Sequence, residues 1–306
     1  MTTSLTPPIR ALWHRIETIH AVTYFAEECR SASSDLGLLG FWMGYFGCRA
    51  APMGAVPASM VEATFANFAP GMVSRAIPDA WVLAEPNTIV EKRREAAADA
   101  LRWASTEIVE AAEKANPLLL QAISSADPMG RPLFGANAAL SLAPIQPEDP
   151  VEALWQHCTT LREHRGDGHL HALGALGLRG IEAHVLAVAS GGASPSAEKL
   201  MESRGWTVEE WDDAIDALVD RELISVGVDG AAADVPTDNP SVALTEAGRA
   251  VKEGVERTTD SLARRPFDDS GTSIATLIEA LETSAIQISA ASIITYPNPI
   301  GLPALD

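Results

Sequence analysis

Residues 206–230 read WTVEEWDDAIDALVDRELISVGVDG, and this stretch decides the fold class. Thr207 and Glu210 stand three apart, the spacing of a capping box in which the threonine hydroxyl caps the first turn and the glutamate reaches back. Trp211, Ile215, Leu218 and Val219 then form one apolar stripe at helical spacing. Leu223–Val228 alternates as a strand, Asp229-Gly230 is a turn, and Val242–Leu244 is a returning strand. Thr245 caps a further amphipathic helix through Val251 and Val255. Helix, two-stranded wing, helix is the order of a winged helix-turn-helix.

The remainder of the chain is helical in pattern. Ala11–Tyr24 carries Leu12, Ile16, Ile19 and Val22 at near-helical spacing behind Pro7-Pro8. An apolar, glycine-interrupted run, Leu36–Gly47, leads to a turn at Arg49–Gly54. A helix is expected from Pro57 to about Phe68, and one long helix over Ile89–Ala112. Pro128, Pro132, Pro144, Pro147 and Pro150 mark the boundary between halves.

The halves repeat each other. Ala11-Leu12-Trp13 recurs as Ala153-Leu154-Trp155, Leu36–Gly40 (LGLLG) as Leu176–Gly180 (LGLRG), and Val73–Ile77 as Val219–Leu223. The offsets are 142, 140 and 146, so the words return in order with little drift. The fold class expected is mainly α: two winged-helix-like lobes related by internal duplication, with a small β-wing in the second. Residues 1–145 form the first lobe, 146–270 the second, and 271–306 a closing helix and tail. That tail either docks on a neighbour or hangs loose.

Charge bears on partners. The 306 residues hold 41 acidic and 22 basic side chains, a net charge of −19. Nucleic-acid affinity comes mostly from Lys and Arg on phosphates, and the helix that would enter the groove, Val208–Arg221, has six acids and one arginine. DNA is therefore the disfavoured partner. No apolar run reaches a membrane span, the start lacks a secretory signal, and three scattered cysteines suit neither disulfides nor zinc. A cytoplasmic, membrane-free protein is expected, with a homodimer as the default assembly. Nucleophile elbow, P-loop and Rossmann fingerprints are all missing.

The sharpest polar word is Leu161–His169, LREHRGDGH. Two glycines weaken a helix by about 1 kcal/mol each, and here they are expected to bend the backbone so that Arg165, Asp167 and His169 converge. Arg165 would hold an anionic group, His169 would move a proton near neutral pH, and Asp167 would orient that histidine or hold an ammonium. The alternative is a junction whose charges pair among themselves. His164, His169 and His171 share no helical face, so no metal is expected. The equivalent place in the first half holds His20, Tyr24, Glu27 and Glu28 at helical spacing, either a site stripe or half-buried core polars. Arg49 ends an apolar aromatic run, as an anion ligand or a helix C-terminal cap. The site expected has Asp167, His169 and Glu28 as catalytic residues and His20, Tyr24, Arg49, His164 and Arg165 on the substrate, with no cofactor.

Tyr24-Phe25, Gly44-Tyr45-Phe46, Arg49–Gly54, LREHRGDGH and the run Arg204–Trp211 (RGWTVEEW) together resemble an actinobacterial family of helix-turn-helix proteins, from about Trp13 to Leu262. The resemblance implies a winged-helix fold, which does not by itself fix function. More faintly, the chain is similar to proteins of actinomycete antibiotic biosynthesis, including those closing aziridine rings in azinomycin-type pathways. That likeness implies a small polar or zwitterionic substrate and a biosynthetic partner enzyme such as a sulfotransferase. In such chemistry Asp167 or Glu28 would seat or deprotonate an amine while Arg165 and Arg49 stabilise a departing anion. The alternative function is a winged-helix transcriptional regulator.

Overall fold

The structure is a computed structural model and describes residues 7–143, 148–191, 196–227, 241–298 and 300–306. The first half is built from α1 (Pro8–Phe25), α2 (Glu27–Asp35), α3 (Gly40–Ala50), a 3-10 turn at Ala51–Met53, α4 (Ala58–Thr64), α5 (Pro70–Ser74), α6 (Asp79–Leu83), α7 (Pro86–Ala104) and α8 (Ile108–Ser125). After α9 (Pro132–Ser141) the second half follows: α10 (Pro150–Ala175), α11 (Gly180–Ala189), α12 (Ala197–Arg204), α13 (Val208–Asp220), β1 (Ile224–Gly227), β2 (Ser241–Leu244), α14 (Glu246–Ser270) and α15 (Ile274–Ala290). The protein is mainly helical. β1 and β2 pair antiparallel, Ile224 opposite Leu244 and Gly227 opposite Ser241, as the wing expected from the sequence. Val228 and the turn at Asp229-Gly230 lie outside the described residues, as do Pro144, Pro147 and Gly192.

The wing's helix starts as its sequence dictates. Thr207 Oγ1 accepts from the Glu210 N–H at 3.2 Å, and Glu210 Oε2 accepts from the Thr207 N–H at 2.9 Å. Replacing Thr207 by Ala removes one half of that exchange and is expected to cost about 1 kcal/mol, checked by urea unfolding. A cost within error of zero would mean that Trp211, packed beneath, fixes the helix start alone.

The repeat is visible in hydrogen bonds as well as words. At the end of α2, Gly37 N–H donates to Ser34 O and Leu38 N–H to Ser33 O. At the end of α10, Gly177 N–H donates to Gly174 O and Leu178 N–H to Leu173 O, the same pattern 140 residues on. Both glycines take positive φ, +80° and +63°, which closes each helix without strain on a Cβ. The packing is reciprocal too: α1 lies on α15, and α10 lies on α8, the equivalent pairing with the halves exchanged. Reciprocal contact of this kind is what a twofold relation between lobes requires.

The largest core is common to both halves, with Leu12, Ile19, Leu101, Leu119, Trp155 and Leu281 all buried in it. Smaller cores sit under the middle helices of each half, around Phe46 and Ile77 in the first and around Val185, Trp211 and Leu218 in the second. α10 runs through the centre and is buried on nearly every side.

Three expectations need correction. The long helix over Ile89–Ala112 is two, because Ser105 turns extended (φ −141°, ψ 125°) and its hydroxyl bonds Ser284 and Gln287 of α15. The helix from Pro57 stops at Thr64, short of Phe68, where the chain turns to meet the second lobe. The tail does not hang loose: Ile294 and Leu302 are buried, and Asn298 and Leu302 exchange two hydrogen bonds (2.9 and 3.0 Å).

Candidate functional site

The two halves of the chain are clasped by residues 65–69. Asn67 O accepts from His184 Nε2 (3.0 Å) and Trp206 Nε1 (3.2 Å), and Ala69 N–H donates to Arg204 O at 2.9 Å. Gly180 opens α11 directly against Ala66 O, so close that a Cβ there would lie 1.8 Å from that oxygen.

Between this clasp, α1, α10 and α14 lies an outer cavity of about 490 Å³. Its charged lining carries both signs: guanidinium groups of Arg10, Arg49, Arg162, Arg165 and Arg204, and carboxylates of Glu17, Asp167 and Glu256. The face of α10 supplies the centre. Arg162, Arg165 and His169 recur at helical spacing towards it, with Gly166 between them. Arg165 is held by Asp260 (3.1 Å) and Glu256 (3.7 Å) and lies over the Trp13 ring at 4.8 Å. Arg10 shares the same two acids, at 2.6 and 3.5 Å. Arg204 rests on the face of Phe68. His169 Nδ1 meets Thr259 Oγ1 at 3.2 Å.

Asp167 differs from the other acids. It is only 2% exposed, lines the cavity, and accepts from Phe134 N–H at 2.9 Å. Among the described residues it forms no salt bridge. Burial raises its carboxyl to about 6, against the pull of the Phe134 bond.

A second, inner cavity of about 190 Å³ lies on the other side of Arg49, between α1, α2, α3, α7 and α10. Arg49 and Tyr45 line both. Arg49 forks onto Glu163 at 2.8 and 2.9 Å, donates to Tyr45 Oη at 3.1 Å, and stacks on Phe65. Glu163 also accepts from Arg162 (3.0 Å), which in turn contacts Glu17 (3.3 Å). Burial works against the Glu163 charge, but Arg49 and Arg162 overcome it and hold the carboxyl well below its usual range.

His20 and Tyr24 belong to the inner cavity. His20 bridges Thr159 Oγ1 and Tyr24 Oη, both at 2.9 Å, stacks on Trp155, and is kept neutral by burial. The expected residues therefore divide: Arg165, Asp167 and His169 outside, His20 and Tyr24 inside, Arg49 in the partition. Glu28 and His164 line neither cavity. His164 packs edge-on against Phe134, and burial pulls its imidazole down to about 3.

The glycines of LREHRGDGH do not bend the chain, since α10 is continuous through them. Gly168 makes room instead: a Cβ there would sit 2.8 Å from Arg131 Nη1, whose guanidinium donates to His164 O, whereas a Cβ on Gly166 would meet only Glu163 and Arg162 of the same helix at ordinary contact distance. Arg162, Glu163 and Arg93 were not singled out by sequence reasoning. Glu163 stood inside the motif, and Arg93 falls on the buried stripe of Ile89, Val90, Ala96 and Ala97, a signal hidden by its charged neighbours.

Among the described residues no group of three or more His, Cys, Asp or Glu side chains is arranged to hold a metal ion. No single described helix is long and apolar enough to cross a membrane. Burial pushes all three thiols up, which makes them poor nucleophiles.

A helix-turn-helix family pattern matches residues 9–295, and the chain belongs to that family. No curated protein and no solved structure matches it.

Proposed function

We propose that this helix-turn-helix protein holds a small molecule bearing both an ammonium and an anionic group in the outer cavity between its lobes. The observation that carries this is Asp167, a buried carboxylate facing the cavity with no cation paired to it among the described residues, opposite a wall of guanidinium groups. An ammonium would complete Asp167, and an anion would share Arg165 with Asp260 and Glu256 and Arg49 with Glu163. A carboxyl that exchanges its proton near pH 6 is also matched to proton transfer near neutrality. The reaction class that fits is cofactor-independent intramolecular displacement: the ammonium first gives a proton to Asp167, the freed amine lone pair attacks the carbon that carries the anionic leaving group, the carbon–oxygen bond breaks as the carbon–nitrogen bond forms, and the anion leaves towards arginine. Aziridine closure is such a reaction.

The probe is 2-aminoethyl hydrogen sulfate, the simplest molecule with this pattern. Calorimetric binding to the wild-type protein is expected to weaken on the order of tenfold or more in D167N, with the fold intact, since a charge-assisted bond is lost. Aziridine and free sulfate would be read by NMR. Equal affinity in D167N, or no binding at all, would remove the reading.

The second reading is a winged-helix transcriptional regulator. Family membership favours it over the first, because helix-turn-helix names a DNA-binding motif. Its obstacle is α13, whose six acids (Glu209, Glu210, Asp212, Asp213, Asp216, Asp220) are all exposed and would face phosphates. Mobility shifts at low salt with random and genomic duplexes decide the matter: a sequence-selective shift establishes the regulator, and no shift leaves the small-molecule reading standing.

A further inference from the structure

The inner cavity has a charge problem of its own. Arg93 lines it and is 5% exposed. Its guanidinium donates to Cys48 O (2.6 Å) and Asn137 Oδ1 (3.0 Å), both neutral, and its Nε has no hydrogen-bond partner among the described residues. Among the described residues no carboxylate forms a salt bridge with it, whereas the Arg49 charge in the same cavity is matched by Glu163. Lacking such a partner, burial pulls the guanidinium down to about 10, still fully charged at neutral pH. A cation buried with only two neutral oxygens and the Trp155 face beside it is costly to the folded protein, and an anion would offset that cost.

The rest of the lining says what kind of anion. The rings of Tyr24, Tyr45 and Trp155 face the space, and Trp155 lies 5.2 Å from the Arg93 guanidinium carbon. An apolar protein cavity of about 150 Å³ is enough to hold benzene. At about 190 Å³ this one has room for a ring and a carboxylate. Phe41, 50% exposed at the surface end of the lining, marks a way in.

We propose that the inner cavity is a second ligand site, separate from the outer one, for a small monocarboxylate with an aromatic or apolar body whose acid group seats on Arg93. The binding is non-covalent and needs no residue of the outer cavity except the shared partition at Arg49 and Tyr45.

Benzoate is the probe, with benzylamine and benzyl alcohol as charge-reversed and neutral controls, titrated calorimetrically into the full-length protein. Saturable benzoate binding is expected, with both controls at least about tenfold weaker, and R93M is expected to weaken benzoate on the order of tenfold or more. Thr23 lines the inner cavity but not the outer, so T23F fills the space without altering charge and is expected to abolish binding. This second variant carries the test if R93M does not fold. No saturable benzoate binding by the wild-type protein, equal affinity for benzylamine, or undiminished binding in R93M or T23F would overturn the proposal. Undiminished binding in those variants would place benzoate in the outer cavity.

Discussion

Glu163→Gln is expected to destabilise the protein by about 3–5 kcal/mol, the usual cost of removing one partner from a buried ion pair. Glu163 is 1% exposed and accepts from two arginines, so the amide would leave Arg49 and Arg162 with one missing anion between them. Urea unfolding checks the value. The double variant E163Q/R49M removes one charge of each sign and is expected to recover part of the loss. If the single variant is no less stable than the double, the pair is not holding the partition. The pH dependence has a definite sign. Because the folded carboxyl is depressed, its contribution is complete above the unfolded value of about 4.3 and is lost as pH falls below that towards the folded value. E163Q should flatten that acid limb.

Gly180→Ala is the second large effect. A Cβ would lie 1.8 Å from Ala66 O and 2.5 Å from Ala66 C, both backbone atoms that cannot rotate away. The backbone at Ala66 and the start of α11 would have to separate, at a cost on the order of 3 kcal/mol or more, at or beyond the top of the range for overpacking. Hydrogen exchange at Ala69, whose N–H crosses to Arg204 O, is expected to lose protection with it. Gly40, the counterpart in the first repeat, is the control: it has φ +69° and open space around it, so Ala there brings only backbone strain of about 1–2 kcal/mol. Similar effects at the two glycines would mean that no close approach exists at Gly180.

What could be read from residues alone was what local chemistry decides. The Thr207–Glu210 box, the stripe of Trp211, Ile215 and Leu218, and the repeated words LGLLG and LGLRG all act within a few positions of themselves. The break at Ser105 was hidden because its reason lies in α15, some 180 residues away. Gly168 of LREHRGDGH misled for the same reason: it makes room for the Arg131 side chain arriving from another segment rather than freeing its own backbone, and nothing in the structure explains Gly166. For the site, the sequence singled out LREHRGDGH and Arg49, and the fold brings Arg165, Asp167, His169 and Arg49 to the wall of one cavity. The residues alone could not show that two cavities flank Arg49, since only the fold brings Glu163 across to it. Arg93 was disguised by the basic residues beside it, Lys92, which is exposed, and Arg94, which is half-buried and pairs with Glu152.

The Arg49–Glu163 fork is a party wall with a tenant's room on each side. An occupant that drew the guanidinium towards itself would bare the carboxylate to whatever stood opposite. By thermodynamic reciprocity, each guest would then alter its neighbour's affinity by one and the same factor.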